Sequence, residues 1–156
     1  RYSEDGMQHM LLNGEDVTEK IRLPEISMYA SAVSAIPAVR DYLLDMQRDM
    51  AKRCSVIMDG RDIGTVVLPQ AQVKIFLSAD VEVRARRRTA ELEQRGTPKP
   101  YAQVLEEMKE RDWADSHRET APLRPAEDAV VVDTTNMDFQ QSKEAILQVI
   151  GRQLQL

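Results

Sequence analysis

Ser55-Val56-Ile57-Met58 runs directly into Asp59-Gly60-Arg61-Asp62-Ile63-Gly64-Thr65. A short run, apolar after its first residue and closed by a turn dipeptide, predicts a buried strand. The same arrangement recurs downstream. Val73-Lys74-Ile75-Phe76-Leu77 is followed by Ser78-Ala79-Asp80, a helix start, and Ala129-Val130-Val131-Val132 ends at Asp133. Between these strands the pattern predicts helices over about 81–94 and 101–117, separated by the breakers Gly96, Pro98 and Pro100. A terminal helix is predicted over 137–154, with Phe139, Ile146, Val149 and Ile150 on its buried side. Short, continuously apolar strands separated by helices indicate an α/β fold with a parallel sheet covered on both faces.

Upstream of residue 55 the pattern differs. Asp5-Gly6 and Asn13-Gly14 are two-residue hairpin signals, because a type I′ turn needs positive φ at both central positions. They predict a three-stranded antiparallel meander over 2–4, 7–12 and 15–21. So small a sheet cannot stand alone, so it is expected to be an insert resting on something else. A helix from Ser27 as N-cap to Ala35 is expected next, then a second helix with Pro37 in its first turn. In that second helix Val39, Leu43, Met46 and Met50 share one face, expected to be core.

Composition narrows the function. The chain has 156 residues, 42% of them apolar, and a formal net charge of −5. That length can bury a real core in a single domain. No stretch approaches the ~20 apolar residues of a membrane span, so no membrane partner is expected. Cys54 is the lone cysteine, which excludes a disulfide scaffold. With no signal-peptide pattern at the start, a reducing, cytoplasmic setting is expected. The acidic balance disfavours broad nucleic-acid binding. Yet 15 of the 21 basic residues are arginine, whose planar fork suits phosphate and carboxylate.

Three clusters carry candidate chemistry. Asp59 to Thr65 packs two carboxylates, an arginine and two glycines beyond a predicted strand end, where ligands bind in parallel sheets. The bland alternative is a turn with a surface Arg61–Asp62 pair. Arg111, Asp115 and Arg118 lie at i, i+4 and i+7, on one helix face; the alternative is an intrahelical salt bridge. Arg84, Arg86, Arg87 and Arg88 crowd the start of the helix after the second strand, where like charges repel unless an anion is near; the alternative is a solvated face. Together they point to phosphate chemistry, which asks a protein mainly for positioned cations, magnesium and closure. His9 and His117 sit in no evident nucleophile or metal triad.

Read in order, these stretches resemble the bacterial cytidylate kinase family. The resemblance begins at Leu12-Asn13-Gly14-Glu15-Asp16-Val17-Thr18 with Ile21-Arg22, and continues through Ser31 to Pro37-Ala38-Val39-Arg40 and Gln47-Arg48. Its most specific part is Asp59 to Val67. Arg84-Ala85-Arg86-Arg87-Arg88, Glu110-Arg111-Asp112 with Asp115 and Arg118, Ala121-Pro122-Leu123 and Asp128-Ala129 complete it.

The resemblance implies transfer of the γ-phosphoryl group of ATP to CMP or dCMP, with Mg2+, by a monomeric cytoplasmic enzyme. It implies a P-loop nucleoside monophosphate kinase core, with a monophosphate-binding antiparallel β insert over about 1–32, the remaining core over 33–156, and a short lid over about 89–110. Ser31, Arg40 and Asp62 resemble the residues that read cytosine. Arg61 and Arg118 resemble the clamps on the CMP phosphate, and Arg111 and Asp115 resemble contacts near the ribose and the transferring phosphoryl group. Asp59 has the position of a carboxylate holding magnesium through water. Arg84 and Arg88 would face ATP as the lid closes. One departure stands against these matches: the chain contains no G-x-x-x-x-G-K-[ST] stretch, the family's ATP cradle, and the first core strand and P-loop are expected to be missing with it. The expectation is a truncated, inactive piece of a kinase; the alternative is a non-catalytic module that keeps a CMP site.

Overall fold

The computed structural model describes residue 3 and residues 6–155, leaving out the side chains of residues 24, 25, 27, 28 and 31. The chain divides into two compact units, Arg1–Met46 and Gln47–Leu156.

In the first unit β1 (Leu11–Leu12) pairs antiparallel with β2 (Glu15–Asp16). Asn13 and Gly14, at φ 51° and 88°, make the left-handed turn between them, as their sequence requires. The predicted strand over 15–21 stops at Asp16, because that carboxylate turns the chain back. Asp16 accepts hydrogen bonds from the Thr18 N–H at 2.9 Å and the Thr18 hydroxyl at 2.6 Å. The same hydroxyl accepts from the Met10 N–H at 2.9 Å, so Thr18 is buried. A 3-10 turn, Lys20–Arg22, follows instead of a third strand. The predicted strand at 2–4, Ser3 apart, lies outside the described residues.

Helix α1 is Pro24–Ser34, beginning with proline at its first turn rather than at the expected Ser27 cap. Proline there gives up no helical hydrogen bond and arrives with a suitable φ. Helix α2, Pro37–Arg53, begins at Pro37 as expected. Its apolar stripe is not core: Leu43, Met46 and Met50 are 41%, 49% and 47% exposed. The 4, 3, 4 spacing places them on one face without supplying anything to cover it.

In the second unit β3 (Ile75–Ser78) and β4 (Val130–Asp133) form a parallel pair, with Ile75 opposite Val130 and Ser78 opposite Asp133. Helices α3 (Val81–Gln94), α4 (Tyr101–His117) and α5 (Phe139–Leu154) accompany it. The first two match their predicted bounds. Asp80 caps α3 by accepting from the Glu82 N–H at 2.8 Å. A reciprocal capping box between Asp138 and Gln141 starts α5 at Phe139. That cap turns Phe139 outward to 85% exposure, against expectation, while Ile146, Val149 and Ile150 are partly covered. The packed core lies between α3 and α4, where Ala85, Leu92 and Val104 are buried against Leu105 and Met108.

Residues 55–58 correct the sequence reading most sharply. They form no strand, and Ile57 is 98% exposed. A lone segment gains no ladder hydrogen bonds, and among the described residues β3 pairs only with β4. Among the described residues no helix is long and apolar enough to cross a membrane.

Candidate functional site

Beyond residues 55–58, Asp59-Gly60-Arg61-Asp62 leads into a single π-helical turn, Ile63–Val67. Its wide closure is visible in the Leu68 N–H donating to the Ile63 carbonyl at 2.7 Å. Such turns recur at functional sites. Gly64 lies close to Lys74, since a Cβ there would sit 3.4 Å from the lysine side chain. Arg48 of α2 caps the turn by donating to the carbonyls of Val66 at 2.9 Å and Val67 at 3.1 Å. The sequence alone assigns Arg48 no role, because no spacing rule links a helix residue to carbonyls eighteen and nineteen positions away.

The turn delivers Arg61 and Asp62 to the C-terminal end of α4. The Arg61 Nε–H donates to Asp115 at 2.9 Å, and Asp115 is 4% exposed. Arg111 Nε stands 3.8 Å from the same carboxylate oxygen, so the i, i+4 pair anticipated in α4 is the weaker of Asp115's two ion pairs. Arg118 follows α4, in extended backbone, and its Nε–H donates to the Ala121 carbonyl at 2.6 Å. Its terminal nitrogen lies 3.7 Å from Asp62, itself nearly buried. The loop returns through Leu123, whose N–H donates to the Asp115 carbonyl at 2.8 Å.

Arg61, Arg111 and Arg118 thus gather around the carboxylates of Asp115 and Asp62. Two donors, Arg111 Nε and one terminal nitrogen of Arg118, are buried without a hydrogen-bond partner. Buried polar groups are nearly always satisfied, and a charged donor left unpaired costs more than a neutral one. Unpaired buried arginine donors fit an anion with several acceptor oxygens, such as a phosphate.

The neighbouring arginine cluster is built differently. The Arg84 Nε–H donates to the Ala79 carbonyl at 2.9 Å, and its terminal nitrogens grip Asp112 at 2.6 and 3.2 Å. Arg86 pairs with Glu82 at 3.3 Å and Arg88 with Glu91 at 2.8 Å. Arg87 donates to the carbonyls of Thr134 at 2.7 Å and Met137 at 2.8 Å, tying α3 to the loop after β4. The expected repulsion is relieved by carboxylates and carbonyls of the protein itself.

Asp59 is exposed and lines a cavity of about 820 Å³, together with Arg61, Arg84, Arg88 and Asp112. Among the described residues no three His, Cys, Asp or Glu side chains gather closely enough to hold a metal by themselves. In the other unit Arg40 donates to the Ser34 carbonyl at 3.1 Å, and Ser31 lies in α1 with its side chain outside the described set.

Known proteins provide an independent comparison. The family model described as cytidylate kinase matches residues 2–152. Over 153 residues the chain is 54% identical to a cytidylate kinase of Caldicellulosiruptor saccharolyticus, covering 96% of this chain and 68% of that protein. It is 55% identical over 145 residues to the cytidylate kinase of Caldicellulosiruptor bescii, covering 93% and 64%. The cytidylate kinase of Syntrophotalea carbinolica is 50% identical over 153 residues, covering 98% and 65%. The chain thus spans about two thirds of the length of the curated relatives it matches. With a family match along nearly the whole chain, and relatives about half identical over it, the chain belongs to the cytidylate kinase family.

Proposed function

We propose that this chain supplies the monophosphate side of a kinase that moves the γ-phosphoryl group of ATP onto CMP or dCMP. The pair of unpaired buried donors on Arg111 and Arg118, beside Arg61, carries this reading. A nucleoside monophosphate brings a phosphate whose oxygens would accept from both. Arg61 and Arg118 clamp that phosphate, and Arg111 lies where it would also contact the transferring group. Asp115 keeps Arg61 and Arg111 oriented and bounds the ribose. Because Asp115 and Asp62 offset only part of the arginine charge, the remaining donors can hold the attacking phosphate oxygen in place and balance its charge as it meets the γ-phosphoryl group.

Asp62, held near Arg118, takes the part of the acceptor for the cytosine amino group. For Ser31 and Arg40 the base-reading role rests on the sequence resemblance alone, as do an insert over about 1–32 and a lid over 89–110. Arg84 and Arg88 are assigned to ATP; to reach it each would exchange a carboxylate partner, Asp112 or Glu91, for phosphate. Magnesium usually binds through one or two carboxylates, water and substrate phosphates, so a lone Asp59 fits an ion that arrives with ATP. Bound, the ion would neutralise phosphoryl charge; Asp59 would hold it through water.

The 156 residues contain no G-x-x-x-x-G-K-[ST] stretch, and we propose that by themselves they bind CMP without turning it over. Calorimetry with CMP and with UMP tests the site. Tighter binding of CMP is expected; equal affinities would remove cytosine reading from the proposal. CDP formation from CMP and ATP by the pure chain would overturn the inactivity. The parent is assigned to the cytoplasm as a monomer.

A further inference from the structure

Arg48 belongs to neither carboxylate cluster, yet its hydrogen bonds lead into one. The last carbonyls of a helical turn have no partner inside the turn. At the end of the π-helical turn these are filled from α2: the Arg48 Nε–H donates to the Val67 carbonyl at 3.1 Å, and its Nη2 donates to the Val66 carbonyl at 2.9 Å. The same two residues turn their N–H groups to the start of the turn. Val66 and Val67 donate to the Asp62 carbonyl at 2.9 and 3.2 Å. Arg48 therefore reaches the Asp62 backbone through two residues, one of which, Val67, is fully buried.

From Asp62 the contacts continue into the anion site. Its carboxylate lies 3.7 Å from Arg118, and the preceding residue, Arg61, donates to Asp115 at 2.9 Å. Asp62 has φ −135° and ψ 19°, outside the regular helix and strand regions. No repeating backbone pattern fixes it, so the bonds to its carbonyl do. Arginine suits the task, because its planar fork holds two neighbouring carbonyls at once, whereas lysine is a flexible point charge. The turn's middle is supported differently. Gly64 rests against the Lys74 stem, whose ammonium grips the Pro69 carbonyl at 2.6 Å and Asp128 at 2.6 and 2.7 Å, all outside the turn.

We propose that Arg48 is a positioning residue for the monophosphate site. Acting through Val66 and Val67, it fixes the Asp62 backbone, and so sets where Arg61 offers its guanidinium to phosphate and Asp62 its carboxylate to the base. This role rests on the reading of that site as a nucleoside monophosphate site. Its physical basis is that ligand groups must be held to within a fraction of an ångström by a supporting shell.

The test follows the arginine Nε–H signals by NMR and titrates CMP, UMP and cytidine by calorimetry, on the unaltered chain and on Arg48→Met, Arg48→Lys and Lys74→Met. Arg48→Met keeps a stem but loses both donors. The Arg61 Nε–H signal should shift and broaden, while that of Arg84, bonded to the Ala79 carbonyl, stays in place. The advantage of CMP over cytidine should fall about tenfold, as when one charge-assisted hydrogen bond is lost, and the advantage over UMP should narrow with it. Arg48→Lys, with one donor where two are needed, should restore part of each. Lys74→Met keeps the stem against Gly64; it should lower the urea midpoint without moving the Arg61 signal or either advantage. An unmoved Arg61 signal in Arg48→Met would overturn the role. So would a moved signal with both advantages intact, or Lys74→Met reproducing the losses of Arg48→Met. If Arg48→Met does not fold, Arg48→Lys decides, and values equal to those of the unaltered chain would overturn the role. If the unaltered chain binds CMP no better than cytidine, the nucleotide reading fails by itself, and the Arg61 signal, which needs no ligand, still decides whether Arg48 positions the turn.

Discussion

Two arginine clusters sit in the same unit, and their chemistry differs. On α3 the four guanidiniums at 84, 86, 87 and 88 are answered by Asp112, Glu82, two carbonyls and Glu91. Around the end of α4, Arg61, Arg111 and Arg118 share Asp115 and Asp62, and two buried donors are left over. Arginine density is similar, but only the second cluster has capacity to spare. A ligand site is marked by donors the fold leaves unsatisfied, whereas a charge run satisfied by its own carboxylates is already complete.

The comparison breaks most visibly at Asp115. Asp115→Asn would leave Arg61 and Arg111 without their shared counter-charge in a nearly dry place. A loss of about 3–5 kcal/mol is expected, seen as a lowered urea midpoint, with added phosphate recovering part of it. If phosphate recovers nothing, the cluster is not an anion site. Next in size, Arg118→Ala should weaken CMP binding by about 1.5–3 kcal/mol, the worth of a charge-assisted hydrogen bond, and should also lower the urea midpoint, because the Ala121 carbonyl loses its donor. Asp62→Ala should instead narrow the gap between CMP and UMP.

On the satisfied side, Arg87→Ala should cost stability and leave CMP affinity unaltered, because its three acceptors belong to the protein. About 1–3 kcal/mol is expected for the buried Thr134 losing its donor; an equal loss of CMP affinity would merge the two clusters. The smallest effect belongs to the N-terminal hairpin. The Thr18 hydroxyl, the Thr18 N–H and then His9 hold the Asp16 carboxyl well below the usual carboxylate range. A depressed folded-state pKa stabilises above the unfolded value and is lost as pH falls, so the hairpin should loosen below about pH 4. Asp16→Asn should remove that acid dependence; unchanged acid sensitivity, followed by NMR shifts of Met10 and Thr18, would place its origin elsewhere.

Local rules made much of this molecule legible. The Asn13-Gly14 turn, the start of α2 at Pro37 and the limits of α3 and α4 follow from turn, cap and breaker chemistry acting over a few residues. The residues of the α4 cluster were legible as types at helical spacing. Their partners were not: Asp115 could be matched with Arg111 by counting, but its closer partner Arg61 lies fifty-four residues away. Residues 55–58 and the methionine stripe of α2 show the same limit from the other side. Apolar pattern marks what can be buried, and burial also requires a neighbour.

The most direct measurement compares CMP with cytidine by calorimetry, on the chain and on its Arg118→Ala variant. CMP should bind at least about tenfold more tightly than cytidine, a difference of about 1.4 kcal/mol, and the difference should largely disappear in the variant. Equal affinities for CMP and cytidine in the unaltered chain would contradict a phosphate site built from Arg61, Arg111 and Arg118.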